Sequence, residues 1–588
     1  MDKTEELLNY LLYDDVIKLE NFYNINNNFN NINILYIYEK IKYIQNNSSC
    51  YNFIGYIYNN GKGVEQDYNK AIKLYEMAIK LNNSIAFNNL GVMYFKGNGV
   101  EKNYKKAIEL YEIAIKLNNS NAMNNLAYIY NFGEGVEKDY KKAIELYEMA
   151  IKLNNSTAMC NLASMYHYGE DVEKDYKKAI ELYEMAIKLN NSNAMCHLAY
   201  MYYDGKGLEK DYNKAIELYD MAIKLNNSDA MTILAYMYKT GLGVEKDYKK
   251  AIELYDMAIK LNNSNAMCHL ADMYRHDKGV EQDYNKAIEL FQMAVKLNNS
   301  NAMCCLAYMY RYGEGVEQDY KKAIELYEIA IKLNDSDAMY YLADMYRYGE
   351  GVEQDHNKAI ELYEVAIKLN NSDAMNNLAF MYDYGIIKGE YVEKDYNKAI
   401  ELYQMAIKLN NLDAMCYLAN MYVKGKGVEP DYNKAIELYE QAIKLNCPYA
   451  MNKLAYIYKT GEGVEKDYNK SIELYQMAIK LNNSDAIYEL FNMRNLTNEN
   501  KKQIIDLYDS IKDIININTK TKLEKNIRET INIFEVISYY SELEKEHNKL
   551  KKEYTKVIEE IKYIPNYDKY NLIEPEEYDK YKKKIRIL

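Results

Sequence analysis

A sequence repeat with a period of 36 residues constrains this chain more than any other feature. A block close to KAIELYEMAIKLN recurs along most of the sequence, with its first alanine at Ala71, Ala107, Ala143, Ala179, Ala215, Ala251, Ala287, Ala323, Ala359, Ala399 and Ala435, and with Ser471 in the last copy. The one unequal step adds four residues in a loop, where Ile386 to Tyr391 reads IIKGEY. A fixed period of this length indicates stacked supersecondary units, each of which buries its apolar face against the next.

Each unit contains two stretches in which apolar residues recur at helical spacing. In the unit that covers 120–155, the first stretch places Leu126 and Tyr130 on one side, together with small alanines. The second stretch does the same with Ala143 and Tyr147. Spacings of three and four residues predict amphipathic helices, so each unit is predicted to be a pair of antiparallel helices.

The boundaries of these two helices carry capping and turn residues. Ser120 and Asp139 are predicted to be the N-caps, because their side-chain oxygens can accept the unpaired amides of the first turn. Gly133 and Gly135 lie where the chain must turn, and glycine takes a positive φ without strain. The recurring Asn118-Asn119-Ser120 motif matches a glycosylation acceptor, but we interpret it as the turn between units.

Composition excludes several classes of protein. The 588 residues contain 49% hydrophobic residues and only 4 prolines, which is typical of a globular, largely helical chain. A net charge of -13 argues against a nucleic-acid binder. The acidic start lacks the basic and apolar regions of a secretory signal, and no apolar run is long enough for membrane insertion. We therefore expect a cytoplasmic protein, in the host cytoplasm if the source is viral, whose eight cysteines form no disulfides.

The repeat pattern A-x-x-x-L-A-x-M-Y-x-x-G-x-G-V-x-x-D-Y-x-K-A-I-x-L-Y-x-x-A-I resembles the Sel-one-like repeat (SLR), a relative of the tetratricopeptide repeat. In one unit the match is carried by Ala122, Leu126, Tyr130, Gly133, Gly135, Val136, Asp139, Lys142, Ala143, Tyr147 and Ala150. Such repeats are found in large DNA viruses and in eukaryotes. The resemblance implies an all-α fold, a right-handed α/α superhelical solenoid that acts as an adaptor for protein complexes.

The repeats divide the chain into three predicted regions. Residues 1–47 are predicted to form a helical N-terminal cap, and 48–494 twelve repeats plus a terminal half-repeat. Residues 495–588 are predicted to be a helical region with a candidate coiled coil at 531–562, where apolar residues alternate in steps of three and four. This segment would either make a homodimer or dock back on the repeats.

Positions that vary between units indicate where a partner would bind, because stacking depends on the positions that repeat. The variable positions lie on one side of the first helix, which in solenoids of this kind lines the concave surface. The predicted partner-binding residues are Tyr128, Tyr200, Tyr236, Asp272, Arg275, Tyr308, Arg311, Tyr341, Asp344, Arg347 and Tyr417. Tyrosine and arginine dominate interface energetics, so this strip is the expected groove for proteins or peptides.

Three successive units carry arginine at one place of this strip, and we predict that Arg275, Arg311 and Arg347 form a local basic ladder. The alternative is neutral drift on a solvated face. Under that alternative, Asp272 would pair with Arg275 and Asp344 with Arg347, each three residues apart on one helix.

No pattern in the sequence indicates catalysis or a cofactor. A zinc site built from Cys268, His269, Cys304 and Cys305 lacks a compact ligand spacing, and we interpret the recurring cysteines as small buried residues. The Gly-x-Gly loops lack the strand-to-helix context of a phosphate-binding loop. We therefore predict a non-enzymatic scaffold, with a substrate-recruiting subunit of a ubiquitin-ligase or other signalling enzyme complex as the alternative.

Overall fold

The computed structural model describes residues 8, 9, 11, 34–62, 64–169, 172–387, 390–391, 394–481 and 483–491. It divides into two compact units, Met1–Ala302 and Met303–Leu588. The division lies inside one helix, α16, Ser300–Tyr312.

The first unit contains an N-terminal helix followed by helix pairs. Its helices are α1 Ile34–Ile41, α2 Ser48–Asn60, α3 Tyr68–Ile79, α4 Ser84–Lys96, α5 Tyr104–Lys116, α6 Ser120–Phe132, α7 Tyr140–Lys152, α8 Ser156–Tyr168, α9 Tyr176–Lys188, α10 Ser192–Asp204, α11 Tyr212–Lys224, α12 Ser228–Thr240, α13 Tyr248–Lys260, α14 Ser264–Arg275 and α15 Tyr284–Lys296. From α2 to α15, each first helix packs against the second helix of its own repeat, and from α3 to α14 each second helix packs against the first helix of the next repeat.

The second unit repeats this arrangement. After α16 it contains α17 Tyr320–Lys332, α18 Ser336–Tyr348, α19 His356–Lys368, α20 Ser372–Tyr384, α21 Tyr396–Lys408, α22 Leu412–Lys424, α23 Tyr432–Lys444, α24 Pro448–Thr460, α25 Tyr468–Lys480 and α26 Ser484–Phe491. The predicted all-α fold of paired helices is confirmed. The handedness of the array stays a prediction.

One feature departs from the all-helical prediction. The inserted loop after α20 contains a two-residue antiparallel pair, β1 Ile386–Ile387 and β2 Glu390–Tyr391, in which Ile386 is opposite Tyr391. The insertion lies between two helices, where extra residues can be accommodated without disturbing the packing of the pair.

The core of each repeat combines fully buried alanines with one buried tyrosine. In α7, Ala143 and Ala150 have no exposed surface, and Tyr147 is almost as fully buried. Small alanines let the helix axes approach, and the tyrosine ring fills the remaining space against the neighbouring helices. The alternation predicted from the repeat is therefore the packing that is found.

The second-helix caps and the loop glycines are confirmed. Asp139 caps α7 by accepting a hydrogen bond from the amide of Lys142 at 3.0 Å. Gly133 ends α6 in the left-handed region with φ 73°, and Gly135 has φ 74°.

The first-helix cap was predicted one residue too late. Asn118 adopts φ 62°, and this left-handed turn places Asn119, not Ser120, at the N-cap of α6. The Asn119 side chain accepts a hydrogen bond from the amide of Ala122 at 2.8 Å. The Asn118-Asn119-Ser120 motif is thus the turn between repeats, as interpreted.

The serine has a different role, in a ladder of side-chain hydrogen bonds between repeats. The cap asparagine of one repeat donates through Nδ2 to the serine Oγ of the preceding repeat. In the first unit the pairs are Asn83–Ser48, Asn119–Ser84, Asn155–Ser120, Asn191–Ser156, Asn227–Ser192, Asn263–Ser228 and Asn299–Ser264. In the second unit they are Asn371–Ser336 and Asn411–Ser372. Each of these asparagines therefore caps its own helix and also bonds that helix to the preceding repeat.

Residues before the first repeat pack on it. Leu8, Leu11, Ile37 and Ile41 are buried in one cluster with residues of α2, including Phe53. This contact supplies the apolar cover that the open end of a repeat array needs. The predicted C-terminal region 495–588, with its candidate coiled coil at 531–562, lies outside the described residues. In the part of the chain that the structure describes, no helix is long and apolar enough to cross a membrane.

Candidate partner-binding surface

Pairs of aromatic rings lie on the exposed side of the first helices. In α6, Tyr128 and Phe132 are four residues apart and share a face, with ring centroids 4.5 Å apart. Phe132 is 48% exposed. Phe95 of the preceding repeat meets Tyr128 edge to face at 6.3 Å, so the aromatic surface continues across the junction between repeats.

The same arrangement recurs in the second unit. The Tyr308 and Tyr312 rings of α16 are 4.5 Å apart. The Phe380 and Tyr384 rings of α20 are 4.2 Å apart, and Phe380 also meets Tyr417 of the next repeat at 5.6 Å. We call these residues the aromatic strip of each unit. The strip of the first unit comprises Phe95, Tyr128, Phe132, Tyr168, Tyr200 and Tyr236, and that of the second comprises Tyr308, Tyr312, Tyr341, Tyr348, Phe380, Tyr384 and Tyr417.

The predicted tyrosines differ in exposure. Tyr128, Tyr200 and Tyr236 are exposed, whereas Tyr308, Tyr341 and Tyr417 are half-buried between repeats. The most exposed rings of the strip lie four residues after the Tyr128 place, at a variable place that the sequence also puts on this side of the first helix: Phe132, Tyr168, Tyr312, Tyr348 and Tyr384, with Tyr348 56% exposed. None of these five was among the predicted partner-binding residues, although the four-residue spacing is the signal that identifies them.

The three arginines do not form an exposed basic ladder. Arg275 is half-buried, and Arg311 and Arg347 are only 2% and 6% exposed. Arg311 donates from Nε to Glu350 at 2.7 Å, and its guanidinium lies 5.0 Å from the centre of the Tyr312 ring. In α18, Arg347 lies 4.9 Å from the ring centre of Tyr348. The buried arginines of the second unit therefore lie against the strip's rings.

Asp344 is also buried, and its carboxylate bonds to its own repeat and to the next one. It accepts hydrogen bonds from the Tyr363 hydroxyl and from Asn377 Nδ2, the latter at 3.0 Å. Burial raises the pKa of Asp344, against these hydrogen bonds and the nearby arginine charges, which lower it. The i, i+3 pair with Arg347 that neutral drift would predict is absent, because within the described residues the Asp344 carboxylate has no ion-pair partner within 4.0 Å.

In the first unit, Asp272 is a charged residue that is more accessible than Asp344. Its carboxylate lies 3.0 Å from Lys239, 3.3 Å from His276 and 3.8 Å from Lys278. Burial works to raise the pKa of Asp272, but Lys239 and the other neighbours lower it below the ordinary value. This acidic residue is therefore held ionised among basic neighbours.

The residue at the place of Tyr128 also affects whether the hydroxyl of a buried tyrosine, nineteen residues later, is hydrogen-bonded. Where the first helix carries Ser164 or Asn420, that residue hydrogen-bonds Tyr183 or Tyr439, at 3.0 and 2.8 Å. Where it carries Tyr200, Tyr236 or Tyr308, the buried hydroxyl of Tyr219, Tyr255 or Tyr327, respectively, has no hydrogen-bond partner in the described structure. Variation at this position is thus coupled to the core.

The cysteines and histidines do not make a metal centre in the described structure. Among the described residues, no three His, Cys, Asp or Glu side chains are grouped as ligands. All eight cysteines are described and none is in a disulfide. Cys160, Cys268, Cys304 and Cys416 are buried at one place of their repeats, as interpreted, and Cys196 is nearly so.

A family model described as Sel1 repeat matches the chain in twelve consecutive segments. The matched residues are 48–83, 85–119, 120–155, 156–191, 192–227, 228–263, 264–299, 300–335, 336–371, 372–411, 412–447 and 448–483. The match confirms the Sel-one-like resemblance inferred from the repeat pattern.

Solved structures with the same repeat are similar to this chain. The protective antigen c5321 of uropathogenic Escherichia coli, which has an SLR fold, is 26% identical over 77% of this chain and 98% of its own, with a TM-score of 0.40. A Sel1 repeat protein from Oxalobacter formigenes is 32% identical over 42% of this chain and 98% of its own, with a TM-score of 0.37. A search of curated proteins finds no match.

Proposed function

The chain belongs to the Sel1 repeat family, and on that premise we propose that it is a non-enzymatic cytoplasmic scaffold that binds proteins or peptides through the aromatic strip. The strip lies on the first helices, the side predicted from the sequence to be concave. Repeat arrays of this kind present extended surfaces along which a partner can make many contacts.

The observation that carries the proposal is the recurrence of adjacent aromatic rings, at least one of them exposed, at places that vary between repeats. Tyr128 with Phe132, Tyr308 with Tyr312, and Phe380 with Tyr384 each form one such pair, in which Phe132, Tyr312 and Tyr384 are exposed. Contiguous exposed apolar surface is uncommon unless it is used for association. Tyrosine adds a hydroxyl that can hydrogen-bond a partner while the ring is covered.

The buried arginines support the same function. Arg311 and Arg347 lie against Tyr312 and Tyr348 and are themselves held in place by burial. Rings that are already ordered lose less conformational entropy when a partner covers them. The arginines are therefore positioning residues for the strip.

The experiment is affinity purification of the full chain with mass spectrometry, comparing two double variants of the second unit. Tyr348→Ala with Tyr384→Ala removes exposed strip rings. Ile329→Ala with Val365→Ala is the control, because these apolar residues are 45% and 42% exposed, similar to the two tyrosines, but lie on second helices. We expect the strip variant to lose partners that the control retains.

Equal recovery of every partner by both variants would place binding elsewhere on the chain. Reproducible recovery of ubiquitin-ligase subunits would favour the substrate-recruiting alternative. Turnover of any substrate by the purified chain alone would overturn the non-enzymatic assignment.

A further inference from the structure

One junction in the second unit departs from the asparagine-serine ladder at both of its positions. Cys447 occupies the N-cap of α24, where the neighbouring repeat has Asn411, and Leu412 replaces the serine of the preceding repeat. The backbone is unchanged, since Cys447 has φ -80° and ψ 108° and Asn411 has φ -70° and ψ 115°. The side-chain hydrogen bond that ties neighbouring repeats cannot form here, because neither an amide donor nor a hydroxyl acceptor is present.

A second thiol faces this cap. In the first unit, Cys196 and Cys268 direct their thiols at the cap asparagine of the next repeat and donate to Asn227 and Asn299 Oδ1, each at 3.4 Å. Cys416 has the same place on α22, and there the cap is Cys447. The two Sγ atoms lie 3.7 Å apart.

The pair is enclosed by apolar side chains, with Cys416 3% and Cys447 5% exposed. Ala419, Ala450 and Leu454 belong to the same cluster. A thiol at a helix N-terminus is favoured as thiolate by the amides and dipole of the first turn. The hydrogen bond from Cys416, and the amides of Ala450 and Tyr449, lower the pKa of Cys447 to about 6, whereas burial and the Cys447 contact raise that of Cys416.

We propose that Cys416 and Cys447 are a site of reversible covalent modification, at which a two-electron oxidant such as hydrogen peroxide forms a disulfide between neighbouring repeats. The bond would take the place of the missing ladder hydrogen bond. A disulfide needs the two sulfurs about 2 Å apart, so closure moves them together by somewhat less than 2 Å. Rotation of both side chains within one junction supplies this movement without separating α22 from α24.

The chemistry balances with the oxidant named. The Cys447 thiolate attacks one oxygen of hydrogen peroxide, the O–O bond breaks, and the sulfenic acid forms as hydroxide leaves and takes a proton. Cys416 sulfur then attacks the Cys447 sulfur, the S–O bond breaks, and the second hydroxide leaves with the proton of the Cys416 thiol. Two thiols and one peroxide become one disulfide and two waters, and a dithiol reductant reverses the bond by exchange.

The test is peptide mapping of the full chain after oxidation under native conditions. The reduced protein is treated with graded hydrogen peroxide, alkylated, unfolded and digested with trypsin. Each cysteine lies on its own tryptic peptide, LNNLDAMCYLANMYVK for Cys416 and LNCPYAMNK for Cys447. We expect one cross-linked species of these two peptides that disappears after dithiothreitol, while the other six cysteines stay alkylated.

Two variants make the outcome decisive. Cys447→Asn restores the residue found at most other junctions, and it is expected to fold and to abolish the cross-link. Cys416→Ser keeps a hydrogen-bond donor to Cys447 but no second thiol, and it is expected to leave Cys447 as a sulfenic acid that a dimedone probe labels. Full alkylation of both cysteines at peroxide levels that oxidise Cys305 would overturn the proposal, as would Cys447 sulfinic acid without any cross-link in the wild-type chain.

Discussion

Tyr439 donates a hydrogen bond of 2.8 Å to Asn420 Oδ1, nineteen residues earlier on the first helix of the same repeat. In the repeat built from α12 and α13, the matching tyrosine is Tyr255, which has Tyr236 opposite and no hydrogen-bond partner in the described structure. The hydroxyl of the buried tyrosine is therefore hydrogen-bonded in one repeat and without a hydrogen bond in another.

We predict opposite effects of removing these two hydroxyls. Tyr439→Phe removes the donor to Asn420 Oδ1 and is expected to cost about 1 kcal/mol in the free energy of unfolding. Tyr255→Phe removes an unsatisfied hydroxyl and is expected to be neutral or stabilising by up to about 1 kcal/mol. Phe291 already occupies this place in another repeat. Urea unfolding followed by circular dichroism measures both, and equal losses in the two variants would refute the distinction.

The cap asparagine should be worth more than an ordinary N-cap, because it also ties two repeats. Asn155 accepts from the amide of Ala158 at 2.9 Å and donates to Ser120 at 3.2 Å and to Asn121 at 2.9 Å. We expect Asn155→Ala to cost about 2 kcal/mol or more in the free energy of unfolding.

Asn155→Asp is the control, since it keeps the cap but loses the donor, as Asp335 shows by capping α18. Its cost should fall between those of Asn155→Ala and wild type. If the aspartate variant were as unstable as the alanine variant, the cap itself would contribute little.

The two loop glycines should differ although both have positive φ. A Cβ on Gly135 would lie 2.6 Å from Cδ2 of Tyr104, on the second helix of the preceding repeat. A Cβ on Gly133 would meet chiefly the flexible Lys138 side chain, at 2.7 Å. We expect Gly133→Ala to cost about 1 kcal/mol from backbone strain and Gly135→Ala at least about 2 kcal/mol. Thermal unfolding of the two variants, with a larger fall in Tm for Gly135→Ala, checks this.

The first unit should lose stability as the pH falls below neutrality. Burial lowers the pKa of His197 and of His269 from 6.5. The folded chain thus keeps both rings neutral while the unfolded chain takes up protons. The stability that the two neutral rings contribute is fully present above the histidine pKa of the unfolded chain. It declines as the pH falls from 6.5 through the lower histidine pKa of the folded chain.

His197→Asn tests this assignment, because Asn161 occupies the same place in the preceding repeat. Urea midpoints at about pH 7.5 and about pH 5.5 should differ less in the variant than in wild type. An unchanged difference would show that other groups control the acid sensitivity. Asp344 has the opposite effect on stability. Its pKa is raised in the folded chain, so the folded state becomes more favourable as the pH falls.

Much of the fold could be predicted because it depends on short-range sequence patterns, and these patterns recur in every repeat. The spacing of Leu126 and Tyr130 defines a helix within a few residues, and Asp139 and Gly133 act on the backbone next to them. Twelve copies of one pattern also identified the family, as the matched segments confirm. These features depend on interactions between residues close in the chain.

The candidate site was harder to predict because variation alone does not distinguish a buried position from an exposed one. Arg311 and Asp344 vary between repeats like Tyr128, but they are buried against Glu350 and Tyr363. Glu350 and Tyr363 lie on other helices or loops, so the positions of Arg311 and Asp344 along their own helices do not predict these contacts. The aromatic strip stays a proposal, and which of its rings are most exposed was found only from their surroundings.

The sequence by itself determined the helix pairs and the second-helix caps, because each follows from contacts within about one helical turn. It also determined the period and the family, because one pattern recurs twelve times. Only the tertiary structure decided that the cap residue Asn119 also bonds Ser84 of the preceding repeat, and that Cys416 faces Cys447. Both depend on which atoms of adjacent repeats meet across 31 to 35 residues of chain. A side chain that serves two helices at once is chosen by the packing between them, which no local pattern contains.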